Sequence, residues 1–233
     1  MSDADPQQEL EKELSFLGRV VRHDLREPLR AVQGFTRGIA DRYSDVIDER
    51  GLDRLRRVVD AASRLDAMVL ALGAFLEVRC LDPRREPVPG RELVDDALEG
   101  LDGEIERSGA HVDVAAELPL LDVDRDWAMR ALSHLVENAI VFGEGDAPWI
   151  SVSGLEDGSG FVVADRGSGF AADPETLFPL FRRGVGRDVP GLGAGLTIAK
   201  MVARRHGGDV WVRSSKPSGS EVAISFATDG GDR

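Results

Sequence analysis

Apolar residues at Leu10, Leu14, Leu17, Val21, Leu25, Val32, Phe35 and Ile39 recur in steps of three, four and seven. A period of about 3.6 residues gathers such positions on one stripe of a long helix. A polar break at Asp48–Gly51 follows, and a second stripe runs through Leu52, Leu55, Val59, Ala62, Leu65, Val69, Leu72 and Leu76. Two amphipathic helices with a short connection predict an antiparallel helical hairpin. A lone hairpin buries only one side of each helix. A symmetric second copy would hide the rest, so a homodimer built on a four-helix bundle is expected. For most of the leucines, packing is the whole role.

Cys80–Gly90 reads CLDPRREPVPG, with prolines at 83, 87 and 89 and no apolar period. Proline removes a backbone donor and crowds the preceding turn, so the helix must stop and a linker is expected. Beyond it the periodicities alternate. Arg91–Arg107 and Asp124–Val141 read as helices; Trp149–Ser153, Gly160–Ala164, Asp209–Arg213 and Glu221–Phe226 read as strands. This mixture predicts a sheet with helices on one face. The expected fold is α+β: a dimerising helical hairpin over residues 1–80, a linker over 81–90 and an α/β sandwich over 91–233. Ser168–Pro190, rich in Gly, Pro and Arg, is expected to be a mobile loop.

Composition removes several function classes. A formal net charge of -13 excludes a general nucleic-acid binder, which needs a basic surface for phosphates. The one cysteine, Cys80, excludes an internal disulfide and a cysteine-rich zinc site. No apolar run approaches membrane-spanning length, and the acidic start Met1–Pro6 is no signal peptide, so a cytoplasmic location is expected.

The first stripe contains Val21-Arg22-His23-Asp24-Leu25-Arg26-Glu27-Pro28-Leu29-Arg30. Proline in a helix interior costs about 3 kcal/mol, so Pro28 is expected to kink or loosen the helix just beyond His23. On a helical wheel His23 falls off the stripe, near Arg19, Glu27 and Arg30. It is a solvent-facing imidazole beside a carboxylate, over a weakened turn. A lone exposed histidine is ordinarily only a surface residue; His-Asp with a proline five positions after the histidine is far more specific. The string resembles the phosphoacceptor box of sensor histidine kinases, closely so in their phytochrome-like branch with its His-Asp-Leu-x-x-Pro-Leu-Arg pattern. The match extends through Gly34-Phe35 and Arg42-Tyr43.

That family's nucleotide boxes follow in order. Asp165-Arg166-Gly167-Ser168-Gly169 ends an apolar strand and matches Asp-x-Gly-x-Gly. A carboxylate there can accept from an exocyclic amine, and the glycines let backbone approach a flat base. Gly191-Leu192-Gly193-Ala194-Gly195-Leu196 opens an apolar helix. Glycines at a helix N-terminus offer backbone N–H groups to phosphate. A dinucleotide-fold reading fails, because no strand immediately precedes them. Leu177–Arg183 between these boxes resembles the aromatic anchor of the family's ATP lid.

Leu132–Phe142 resembles the family's asparagine box, with Asn138 as the magnesium ligand and Glu137 beside it. Their oxygens suit a hard octahedral cation bridging ATP phosphates. His134 stands where another asparagine is usual, and Val141 where a phosphate-contacting lysine is common. His206-Gly207-Gly208 completes the resemblance, but its expected role is structural: a left-handed helix cap with His206 packing or capping. His111 and Cys80 are expected to be structural and inert.

The resemblance implies an ATP-dependent histidine kinase core. His23 would take the γ-phosphate of ATP, with Asp24 orienting its ring and Mg2+ on Asn138. Asp165 would read adenine with Gly167 and Gly169, and Gly191, Gly193, Gly195 and Leu196 would cradle phosphates. The phosphoryl group would pass to an aspartate of a response-regulator receiver domain. Glu27, where relatives carry Thr or Asn, implies weak phosphatase activity. Arg26, Arg30, Arg37 and Arg54–Arg57 form the expected regulator-docking surface. Fewer than about twenty residues precede the helix, too few for an input domain, so a separate sensor protein is expected. The competing readings are a non-catalytic dimeric adaptor of the same fold and a serine kinase on the same ATP fold. The His23–Pro28 box argues against the second.

Overall fold

The computed structural model describes residues 18, 20, 23–80, 82–143, 147–169, 194–216 and 219–227. The chain divides into two compact units, Met1–Leu81 and Asp82–Arg233.

In the first unit, α1 (Arg26–Arg42) packs on α2 (Glu49–Cys80) as an antiparallel hairpin. His23 and Asp24 are helical, the chain eases into a turn at Leu25, and α1 starts again at Arg26. Pro28 explains this. It lacks the N–H that would reach the carbonyl of Asp24, and its ring crowds that carbonyl, so the helix is interrupted one residue beyond it. Proline is tolerated at Pro28 itself because the first turn of a helix needs no such donor. The expected loosening beyond His23 is present.

The inter-helix break falls at Tyr43–Asp48 rather than Asp48–Gly51. Asp48 starts α2: its Oδ1 accepts from the Gly51 N–H at 2.7 Å, and Glu49 lies in the first turn, where negative charge favours the helix dipole. The polar string is a helix start, not a separator.

The seam of the hairpin is small and polar. A Cβ on Gly18 would lie 3.1 Å from Leu76, Arg26 Nε meets Asp66 Oδ1 at 2.8 Å, and Gln33 donates to Ser63 Oγ at 3.3 Å. Thr36, Ala62, Val69 and Gly73 are buried there. Much of the apolar stripe stays open: Phe35 is 75% exposed, and Leu25, Val32, Ile39, Leu65 and Met68 are exposed beside it. Leu10, Leu14, Leu17 and Val21 lie outside the described residues.

The second unit holds a five-stranded sheet in the order β2 (His111–Val114), β4 (Trp149–Gly154), β5 (Gly160–Asp165), β7 (Gly219–Ser225), β6 (Val210–Lys216). Only β2–β4 is parallel; the other pairs are antiparallel. The helix α5 (Arg125–Phe142) packs on both α3 (Gly90–Glu99) and α6 (Gly195–Arg205); α5 lies against β4 and β5, and α6 against β6 and β7. The core lies between. Ile150, Val152, Phe161, Val163, Val222 and Ile224 of the sheet close on Leu132, Leu135, Val136, Ile198 and Val202, each at most 4% exposed. Alternation in β4 places Ile150 and Val152 inward and leaves Trp149, Ser151 and Ser153 partly exposed.

The linker reading is corrected over Glu86–Pro89. This segment is β1, paired antiparallel with β3 (Leu120–Val123), and Val88 is 2% exposed. Both strands of a two-stranded ribbon are edge strands, the place in a sheet where proline is tolerated. Arg84 also donates its N–H to Asp124 Oδ2 at 2.8 Å, fastening the approach to the second unit. Strands of four residues, such as β1, β2 and β3, are too short for a periodic signal. Arg91–Arg107 is two helices, broken at Gly100–Leu101, with α4 spanning Asp102–Ser108.

Candidate functional site

The second unit gathers two sequence boxes around the far end of α5. Asp165 ends central strand β5 and is 8% exposed. Its Oδ1 accepts from the N–H of Gly167 at 2.8 Å and of Ser220 at 3.2 Å. Its Oδ2 accepts from the Ser220 hydroxyl. An ionised carboxylate offers about four lone-pair sites, so these bonds leave one acceptor on Oδ2 for an outside donor. That arrangement fits an amine on a flat base. Gly167 is required by close approach: a Cβ there would sit 1.9 Å from the Phe142 carbonyl oxygen. Gly169 adopts φ +70, a left-handed turn that side chains resist.

The same end of α5 carries Glu137, exposed, and Asn138, half-buried. Gly195 begins α6 directly against this helix, where a Cβ would lie 3.3 Å from His134 Cβ. His134 is thus wedged beneath the phosphate-box helix, and its Nδ1 meets Glu137 Oε2 at 3.2 Å. Among the described residues no cluster of three or more His, Cys, Asp or Glu could hold a metal. A magnesium ion bound largely through phosphates and water needs only one or two protein oxygens, and Asn138 with Glu137 fits that demand.

The other end of α5 is set by His206, which is fully buried. Its Nε2 accepts from the Asp124 N–H at 2.9 Å, and its Nδ1 lies 2.8 Å from the Val202 carbonyl, to which it donates. Burial holds this imidazole below its ordinary titration range, so it stays neutral. Gly207, with φ +81, closes α6 in the left-handed conformation.

In the first unit His23 and Asp24 stand in solvent, their side chains 83% and 65% exposed, with His23 Nδ1 3.2 Å from Asp24 Oδ1. Of the expected arginine surface, Arg26 is engaged with Asp66 and Arg57 with Asp53, while Arg30, Arg37, Arg54 and Arg56 are exposed. Arg26 does not belong to an open docking surface, because its guanidinium is half-buried between the helices.

The structure thus brings Asp165, Gly167, Asn138 and Gly195 to one end of the second unit, with Leu196 opening α6 beside them. Gly191 and Gly193, the aromatic segment Leu177–Arg183 and most of the Ser168–Pro190 loop lie outside the described residues. Ser220 was invisible to sequence reasoning. Nothing marks a serine after Gly219 as special until β7 pairs with β5 and sets it beside Asp165.

Residues 123–229 match the family of histidine kinase-, DNA gyrase B-, and HSP90-like ATPases. Cyanobacterial phytochrome B of Nostoc sp. is 30% identical, over 90% of this chain and 29% of its own length. The methanogenesis regulatory histidine kinase FilI of Methanothrix harundinacea is 30% identical, over 89% of this chain and 24% of its own. The chain therefore spans less than a third of these relatives. Among solved structures, full-length ShkA in complex with AMPPNP shares the fold with a TM-score of 0.65, at 24% identity, covering 94% of this chain and 47% of that one. The second unit thus carries the ATPase domain of that family, and along about nine-tenths of its length the chain is similar to sensor histidine kinases.

Proposed function

We propose that this chain is an ATP-dependent protein histidine kinase core that phosphorylates His23 and passes the phosphoryl group to an aspartate of a response-regulator receiver domain. One observation carries the reading: His23 is an open imidazole hydrogen-bonded to Asp24 in a proline-loosened turn. With Nδ1–H donating to Asp24, the Nε2 lone pair points outward as the nucleophile. Nε2 forms the N–P bond as the bond from the γ-phosphorus to the bridging oxygen breaks and ADP leaves. Asp24 stabilises the charge that develops on the ring and takes the Nδ1 proton toward solvent.

In the second unit Asp165 accepts from the adenine amine through its remaining acceptor, while Gly167, Gly169, Gly191, Gly193, Gly195 and Leu196 contact the nucleotide. Asn138, with Glu137, holds Mg2+, which when bound offsets phosphate charge. The open stripe of Phe35, Val32 and Ile39 is the face that a second copy covers, and the homodimer is part of the proposal. A phosphoacceptor hairpin over residues 1–80 and a catalytic domain that includes β1 are the proposed functional division.

Labelled ATP–Mg2+ followed by acid treatment tests this. The label should be acid-labile and should vanish in His23→Gln, which keeps nucleotide binding. Asp165→Asn should weaken ATP binding by roughly 10- to 150-fold, or about 1.5–3 kcal/mol. Acid-stable label would make the chain a serine kinase, and no label at all a dimeric adaptor, the reading favoured by Val141, which is 37% exposed at the end of the asparagine box.

A further inference from the structure

The turn that carries His23 has lost its local supports. Pro28 provides no N–H to the Asp24 carbonyl, and Leu25, at the N-cap of α1, provides no side-chain cap. What holds the first residue of α1 is long-range. Arg26 Nε donates to Asp66 Oδ1 at 2.8 Å and Nη2 to Asp66 Oδ2 at 3.4 Å, a two-pronged contact with a residue of α2 forty positions away. The two side chains are 27% and 22% exposed, sheltered in contrast to the exposed pairs Arg57–Asp53 and Arg91–Asp95. A planar guanidinium gripping both carboxylate oxygens restrains direction as well as distance. Arg26 lies almost one helical turn after His23, so this fork registers the loosened turn against α2.

We propose that Arg26 and Asp66 are a positioning pair that aims His23 at its phosphoryl donor. The inference rests on the reading of His23 as phosphoacceptor. Held between α1 and α2, the pair acts on His23 through the backbone of residues 23–26. Its effect is therefore on the rate of attack and not on ATP affinity.

The test uses the full chain with Arg26→Gln, the isosteric Asp66→Asn, and the double variant, each checked for helicity. With labelled ATP–Mg2+, each single change should slow saturated labelling of His23 by about 10- to 100-fold, as loss of orientation does, with KM for ATP unchanged. The double variant should be no slower than the slower single, since both remove one contact. Phosphoramidate, a small donor that needs no aiming, should label all four proteins equally. Labelling from ATP at the unaltered rate in Asp66→Asn overturns the pair's role while leaving His23 as acceptor, and so do multiplying losses in the double variant. Asp66→Asn decides the matter alone where Arg26→Gln does not fold. Failure of the unaltered protein to take label from ATP overturns both readings together.

Discussion

The two units bury their apolar residues to different degrees. In the second, Leu93, Val94, Ala97, Val123, Ala131, Ile150, Val210, Ala223 and Ile224 are fully shielded. In the first, the largest apolar side chain of α1, Phe35, stands 75% in water while Thr36 beside it is buried. A sheet covered by helices on one face completes its own core within one chain. Among the described residues, the hairpin seam mixes Gly18, Gln33, Thr36, Ser63 and an ion pair with the buried Ala62 and Val69, and much of the apolar stripe stays open. On the proposed dimer, the open surface is the face a second copy covers, whereas the second unit's core is closed within the chain.

Four changes sharpen or break this contrast, in descending order of effect. Leu132→Ala, at 1% exposure in the second core, should cost about 2–5 kcal/mol there by lost burial and the cavity left. Two thermal transitions should appear in calorimetry, and only the second unit's should fall; a matching fall in the first would mean that the units are one folding body. Phe35→Asp should leave the second unit's transition in place and weaken association by roughly 1.5–3 kcal/mol per copy, the burial value of such a side chain. Sedimentation should show dissociation at concentrations where the proposed dimer of the unaltered chain forms. A dimer of unchanged strength would place the interface elsewhere.

Acid should act on the second unit through His206. Its folded-state pKa lies below the ordinary imidazole value because burial disfavours the charged form. The unfolded chain therefore takes up a proton that the folded one excludes, and stability falls as pH drops from the ordinary imidazole range toward the folded value. The slope is at most about 1.4 kcal/mol per pH unit. Denaturant midpoints measured from pH 7 downward check this, and His206→Gln should flatten the slope. Smallest of all, Arg91→Ala removes an exposed i,i+4 pair with Asp95 and should shift neither transition measurably.

The legibility of each part follows the range of the forces that make it. The breaks at Leu25 and the helix Arg125–Phe142 were readable because proline and a sustained apolar period act within a turn or two. The β1–β3 ribbon was not, since Glu86–Pro89 becomes a strand only when Leu120–Val123 arrives beside it. The polar string at Asp48–Gly51 was misplaced by a few residues because a cap and a loop share the same residue types. At the candidate site, Asp165, Asn138 and the glycines are proposed from a resemblance of ordered boxes, whereas Ser220, and the place of His134 beside Gly195, needed pairing and packing to become visible.

By itself the sequence determined where helices can form, where they must loosen, which imidazole sits off the apolar stripe, and which boxes succeed one another along the chain. These are local matters of backbone donors, side-chain period and spacing. Only the tertiary structure decided what those residues face. It turned the apolar stripe outward and closed the hairpin on Arg26 and Asp66. It also set Ser220 against Asp165, the Phe142 carbonyl against Gly167, and His134 under Gly195. Each of these contacts joins residues separated by many positions, and its geometry depends on sheet register and helix packing that no local pattern encodes.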